Sequence, residues 1–247
     1  MSHPHDRIRA WWDADAHVYD DAAGHALSDP VEAAAWRRVL EGTLPPAPAR
    51  VLDAGTGTGS LALAAAELGH DVTGVDLSEG MLDRARAKAT ERGVDIVLVH
   101  GPAEDPPTGP FDAVIERHVL WTIPDPVAAL ISWRAVTVPG GRLVLLEGSW
   151  GGEGPFVGAA DMVARVVERA YGLHDHHHAT YPQDLSLPLQ GSHDPGPFVA
   201  AAEAAGWERI RIARLRDVEW TIERRQPWPL GPLTRRPRYA IIADAPR

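Results

Sequence analysis

Three groups of residues could do chemistry by type and spacing. The first is Asp53-Ala54-Gly55-Thr56-Gly57-Thr58-Gly59, with Asp76 one apolar run further on. Glycines at alternate positions admit positive φ and remove the Cβ atoms that would hold a ligand off the backbone. A helix starting just beyond them offers unpaired N–H groups to an anion. The turn is therefore a nucleotide-type site. A dinucleotide fingerprint, G-x-G-x-x-G, would need glycine where Ser60 stands. Instead an acid, Asp53, precedes the first glycine; a carboxylate there repels a pyrophosphate and accepts hydrogen bonds from an ammonium group. Asp76, at a strand end, can take both hydroxyls of a ribose. The second group is Glu116-Arg117-His118, with Trp121 and Pro124-Asp125-Pro126 close behind. Imidazole titrates near neutrality, so His118 is the candidate base for a nucleophile that arrives protonated. The third group is His174, His176, His177 and His178, with His193 further on. Asp175, Asp184 and Asp194 could complete a metal site, but the spacing lacks the pattern of a known centre, so no metal is expected. Substrate contacts from His176, His177 and His178, a pH-sensitive lid, or an inert exposed loop are the other readings.

These residues need elements to hold them. Val51-Leu52 reads as a buried strand, Leu61 to Leu68 as an alanine-rich helix stopped by Gly69, and Asp71 to Asp76 as a second strand. Ser78 caps a helix running from Glu79 to about Arg92, which Gly93 stops. Asp95 to Val99 and Phe111 to Glu116 are the third and fourth strands, and the helix after the fourth ends near Val138. Arg142 to Glu147 has the continuous apolar character of a strand covered on both faces. Upstream, Ile8, Trp11, Trp12, Ala16 and Tyr19 describe one face of a helix within residues 7–22, and residues 31–42 form a second. Downstream, residues 156–171 can be helical, Gly172 to Pro197 is rich in turn residues, Phe198 to Gly206 is helix, and Trp207 to Arg216 and Arg238 to Asp244 are strands. Ile210 and Ile212 share a parity that Leu215 breaks, which predicts a bulge near Ala213. Arg224, Arg225, Arg235, Arg236 and Arg238 read as a solvated rim, with an anion site as the alternative.

The 247 residues suit one domain, expected over 1–247 with an N-terminal helical cap at 1–45 and an inserted lid at 149–197. The chain has no cysteine, which excludes disulfides and thiolate chemistry. A net charge of −10 disfavours nucleic acid and favours a small, neutral or cationic substrate. The N-terminal residues have no apolar core of signal-peptide length and no membrane-length apolar run follows, so the expected location is cytoplasmic.

The acid-first glycine turn and the strand-end acid resemble the first two motifs of class I S-adenosylmethionine (SAM)-dependent methyltransferases. Arg117-His118 leading to Pro124-Asp125-Pro126, and Pro139-Gly140-Gly141 before a strand, extend the resemblance over Arg50 to Glu147. Trp12-Asp13 and Ala16-His17-Val18-Tyr19-Asp20 fit the N-terminal segment that in this family folds over the cofactor. The resemblance implies a Rossmann-like α/β fold with strand order 3-2-1-4-5-7-6, the last strand antiparallel, and methyl transfer to N or O of a small-molecule acceptor, a specialised metabolite. S-adenosylhomocysteine (SAH) is then the product. It implies cofactor contacts from Tyr19, Asp53, Gly55, Thr56, Gly57, Asp76, Leu77, Met81, Ala103, Glu104 and Glu116, with Glu104 standing in for an Asp that Pro102 displaces. Acceptor contacts fall to His25 and Trp121 beside the histidine cluster. A nicotinamide oxidoreductase and a non-catalytic SAM-binding module are the competing readings.

Overall fold

The strand that leads into the glycine turn lies at the centre of the sheet. The computed structural model describes residues 4–21, 24–148, 162–163, 166–167, 187–192, 194–233 and 235–247. Its strands are β1 (Arg50–Ala54), β2 (Asp71–Asp76), β3 (Val97–His100), β4 (Phe111–Arg117), β5 (Thr137–Gly148), β6 (Glu208–Arg214) and β7 (Arg238–Asp244), in the order β3-β2-β1-β4-β5-β7-β6. The first five run parallel, and β7 is antiparallel to both neighbours. Parallel neighbours require crossovers, supplied by α3 (Ser60–Glu67), α4 (Glu79–Arg92) and α5 (Pro126–Ala135). Two helices precede the sheet, α1 (Pro4–Asp15) and α2 (Pro30–Thr43). After β5 come α6 (Gly196–Ala204) and α7 (Arg216–Arg225).

Side chains alternate across a strand, so the sheet divides the apolar residues into two layers. Val51, Ile115, Val144 and Ile242 face Trp36 and Leu40 of α2, Leu61 and Ala65 of α3, and Val218 of α7. Leu52, Val114, Leu143 and Leu145 face Trp133 of α5 and Phe198 of α6. Residues 60–65 of α3 are all buried, and its alanines let the helix lie close to β1 and β2. The crossover direction reverses between β1 and β4, and a crevice opens at the strand carboxyl ends there. Among the described residues no helix is long and apolar enough to cross a membrane.

The structure revises several boundaries. α1 ends at Asp15, where the side chain of His17 bonds the carbonyl of Ala14 at 2.8 Å, and Tyr19–Asp21 form a separate 3-10 turn. α5 ends at Ala135 and β5 begins at Thr137, so Pro139-Gly140-Gly141 lies inside the strand rather than before it. β3 starts at Val97. The register shift in β6 falls between Glu208 and Arg211, not near Ala213. Arg209 has φ +50°, and its Nε donates to Asp244 at 2.9 Å. Leu215 is buried because the chain leaves the strand there and enters α7. Of the five arginines read as a rim, Arg224 and Arg225 pair with Asp29 and Glu32 of the α2 region and Arg235 with Glu223. Arg238 bonds inward to His118.

Candidate active site

At the carboxyl end of β1 the turn closes back on β2: the amides of Gly55 and Thr56 both donate to the Val75 carbonyl, at 2.8 and 2.9 Å. Gly55 has φ +71°, and a Cβ built on it would lie 2.3 Å from Cγ2 of Val119. No larger residue can stand there without moving the β4 loop. Gly57 has φ +55° and open space where a Cβ would be, so its bare backbone faces the pocket. Asp76 is held at both oxygens, by the Gly57 amide at 2.7 Å and the Ser78 amide at 2.9 Å. Asp53 accepts from the Thr56 hydroxyl at 2.7 Å behind the turn. Burial pushes both carboxyls up to about 6.

The pocket is roofed by the N-terminal segment through His5, Ile8, Trp12 and Tyr19. Two aspartates fasten that roof. Asp13 accepts from Ser78 Oγ at 2.6 Å, and Asp20 accepts from Thr58 Oγ1 at 2.7 Å and lies 3.1 Å from the ammonium of Lys88. His5 meets Glu104 at 3.1 Å, and Trp133 Nε1 donates to the Ala103 carbonyl at 2.7 Å, which fixes the loop after β3.

The opposite end is cationic. Arg117 lines it, with Nη1 and Nη2 donating to the carbonyls of Gly24 and His25, each at 3.0 Å, and with its guanidinium 5.2 Å from the Trp36 ring centroid. His118 sits at φ +61°, a strained angle for a residue with a Cβ. Its Nε2 lies 2.8 Å from Arg238 Nη1, and its Nδ1 3.3 Å from Oε2 of the buried Glu147. Arginine only donates, so Nε2 accepts and the ring proton is on Nδ1, facing Glu147. Burial, then Arg238, Arg117 and His25, hold the imidazole well below its ordinary pKa. Glu116 accepts from the amides of Val119 and Leu120 at 2.9 and 3.3 Å and thereby caps the turn that follows His118. Burial pushes its carboxyl up to about 8.

Nine of the anticipated residues line this pocket: Tyr19, Gly55, Gly57, Asp76, Leu77, Met81, Ala103, Glu104 and His118. Asp53, Thr56 and Glu116 lie behind its wall as supports. His25 stacks on Tyr19 with centroids 4.3 Å apart, and Trp121 packs against the core layer under α5. His176, His177 and His178, and with them most of the 149–197 segment, lie outside the described residues. Sequence reasoning missed His5, Arg117, Val119, Thr122 and Ile123 as lining residues. For Arg117 a signal was present, a cation next to His118 at a strand end.

A family model described as "Methyltransferase domain" matches residues 52–145. The ubiquinone biosynthesis O-methyltransferase of Xanthomonas axonopodis pv. citri is 31% identical over 223 residues, covering 88% of this chain and 80% of its own. Phosphoethanolamine N-methyltransferase 2 of Haemonchus contortus, solved with SAM, superposes with a TM-score of 0.65 at 16% identity over 100% of this chain, which spans 61% of that one. Geranyl diphosphate C-methyltransferase of Streptomyces coelicolor A3(2), solved with Mg²⁺, geranyl diphosphate and SAH, gives 0.65 at 17% identity over 99% of each chain. With the order of its sheet and the crevice at the β1–β4 switch, this chain belongs to the class I SAM-dependent methyltransferases, enzymes whose cofactor is SAM.

Proposed function

We propose that the protein methylates an oxygen of a small organic acceptor, a specialised metabolite, and that the pocket running from Asp76 to His118 holds both reactants. The single observation that carries this is the pocket's polarity. Its acids, Asp76 and Glu104, stand at one end, and Arg117 and His118 at the other. The acidic end fits an adenosine, with Asp76 for the ribose hydroxyls, Ala103 and Glu104 for the base, and Leu77 and Met81 as apolar walls. Open space over Gly57 leaves room for a ligand to approach the backbone. Asp53, behind Thr56, places negative charge near an amino-acid ammonium. When bound, SAM supplies an electrophilic methyl group on a sulfonium. The chain's task is then alignment and exclusion of water, effects worth up to about 7–11 kcal/mol in the best intramolecular models. The α1 roof and the Tyr19 ring provide the enclosure. Oxygen is favoured over nitrogen by the cationic far end, which repels a protonated amine, and by the O-methyltransferase name of the Xanthomonas relative.

The test is a panel of small phenols, carboxylates and amines assayed for SAH release. Release is expected with oxygen acceptors, and turnover confined to amines would overturn the oxygen assignment.

A further inference from the structure

We propose that the acceptor binds as an oxyanion, a carboxylate or an ionised acidic hydroxyl, and that His118 removes no proton from it because Arg238 occupies its lone pair. The inference rests on the methyl-transfer reading and narrows its substrate class.

Three observations carry it. The first is the Arg238–His118 contact of 2.8 Å, which uses the one nitrogen of the neutral ring that could take a proton. Protonating His118 would set a cation against Arg238, with Arg117 and His25 also close enough to oppose it. The second is Arg117. It lines the pocket, its Nη1 and Nη2 donate to backbone carbonyls, and among the described residues no carboxylate lies within ion-pair distance of it. Its positive field at the transfer end is therefore not cancelled at close range. The third is the placement of the acids. Glu147 faces the Nδ1 side of His118, Glu32 is engaged by Arg225, Glu219 by Arg214 and the Arg238 amide, and Asp76 and Glu104 belong to the other end. Glu116, behind the pocket wall, accepts from the Val119 and Leu120 amides. Among the described residues the other titratable groups here are His25 and Tyr19, stacked on each other, and burial raises the pKa of Tyr19, so it stays a phenol.

The chemistry balances without a base. The acceptor oxygen, already deprotonated by solvent, forms its bond to the methyl carbon as the carbon–sulfur bond breaks, and the electron pair stays on sulfur. An anion and a sulfonium become an ether or ester and a thioether, and no proton is released in the site. With Nη1 and Nη2 of Arg117 each donating to a carbonyl, its charge favours the ionised acceptor without having to clamp the attacking lone pair.

The experiment uses the full chain saturated with SAH and three probes: benzoate, its neutral isostere benzamide, and 4-nitrophenol, whose yellow anion reports its own ionisation. Benzoate is expected to bind about tenfold or more tightly than benzamide, and bound 4-nitrophenol to ionise at a pH lower by about one unit. Arg117→Met should remove both preferences, and Arg117→Lys, which keeps the charge, should retain most of each. Equal binding of benzoate and benzamide, binding of 4-nitrophenol as the neutral phenol, or no binding of either anion would overturn the proposal. So would a wild-type rate profile with a limb at imidazole pKa that His118→Gln abolishes. Failure of SAH itself to bind would instead strike the methyl-transfer reading.

Discussion

The two ends of the pocket are built in opposite ways. The end at β1 and β2 comes from one continuous stretch, Asp53 to Ser78, whose groups satisfy one another locally: Thr56 with Asp53, Gly57 and Ser78 with Asp76. The end at β4 is assembled from distant segments: Arg117 and His118, Glu147 on β5, Arg238 on β7, and the Gly24-His25 turn ahead of the sheet. A common cofactor can be met by a fixed local motif. An acceptor is recognised by whichever side chains the fold brings to that wall. Changes at the first end should therefore act on folding and cofactor together, and changes at the second on the acceptor.

The largest expected effect is at Gly55. Gly55→Ala puts a methyl group 2.3 Å from Val119 at φ +71°, so overpacking and backbone strain add, and we expect a loss of about 3 kcal/mol in chemical denaturation. Gly57→Ala meets nothing in the protein at φ +55°. It should lose only about 1 kcal/mol of stability while SAM binding by calorimetry falls severely, because the added methyl points into the pocket. If both variants lose stability equally, the distinction between a packing glycine and a ligand-facing glycine is wrong.

Next comes pH. Asp53 and Asp76 sit at about 6, above the ordinary 3.8, because burial disfavours their charged forms. A raised carboxyl pKa means the folded state binds more protons than the unfolded one. These two groups therefore destabilise the ligand-free protein above pH 6, and the penalty fades as pH falls toward 4. Asp53→Asn should accordingly raise the stability of the ligand-free protein at neutral pH by up to about 3 kcal/mol, with the gain shrinking toward pH 4. On the proposed placement SAM is held by the ionised forms, so its affinity should drop as pH falls below about 6. Affinity that stays flat to pH 4 would contradict the placement of these acids. Asp29, Asp112 and Asp244 are lowered by their arginine and amide partners and act in the opposite sense, losing their contribution as pH falls through their depressed values.

The smallest effect concerns the roof. Asp13→Ala removes the acceptor of Ser78 Oγ and should cost about 1 kcal/mol while speeding SAH release in stopped-flow fluorescence. An unchanged release rate would mean that this contact does not hold the roof closed.

Legibility followed the same division. Asp53, the glycines, Asp76 and the bounds of β2 and α4 could be read because one short stretch carries both the candidate ligand groups and the strand-turn-helix that presents them. α7 could not. Its buried residues are Val218, Glu219 and Thr221, two of them polar, and Glu219 is held by Arg214 rather than by an apolar stripe. Arg238 looked like one more rim arginine because its partner His118 is remote in sequence. The expectation of a neutral or cationic substrate was drawn from the net charge of −10, a property of the whole surface. The proposed preference for an anion follows instead from two guanidinium groups at one buried wall.

The most direct test is calorimetric titration of SAM into the wild type and Asp76→Ala near neutral pH, with NAD titrated in parallel. Wild-type binding of SAM without NAD, weakened about ten- to a hundredfold in Asp76→Ala by the loss of charge-assisted bonds to a ribose, is the predicted result. Equal SAM affinity in a folded Asp76→Ala protein would contradict it.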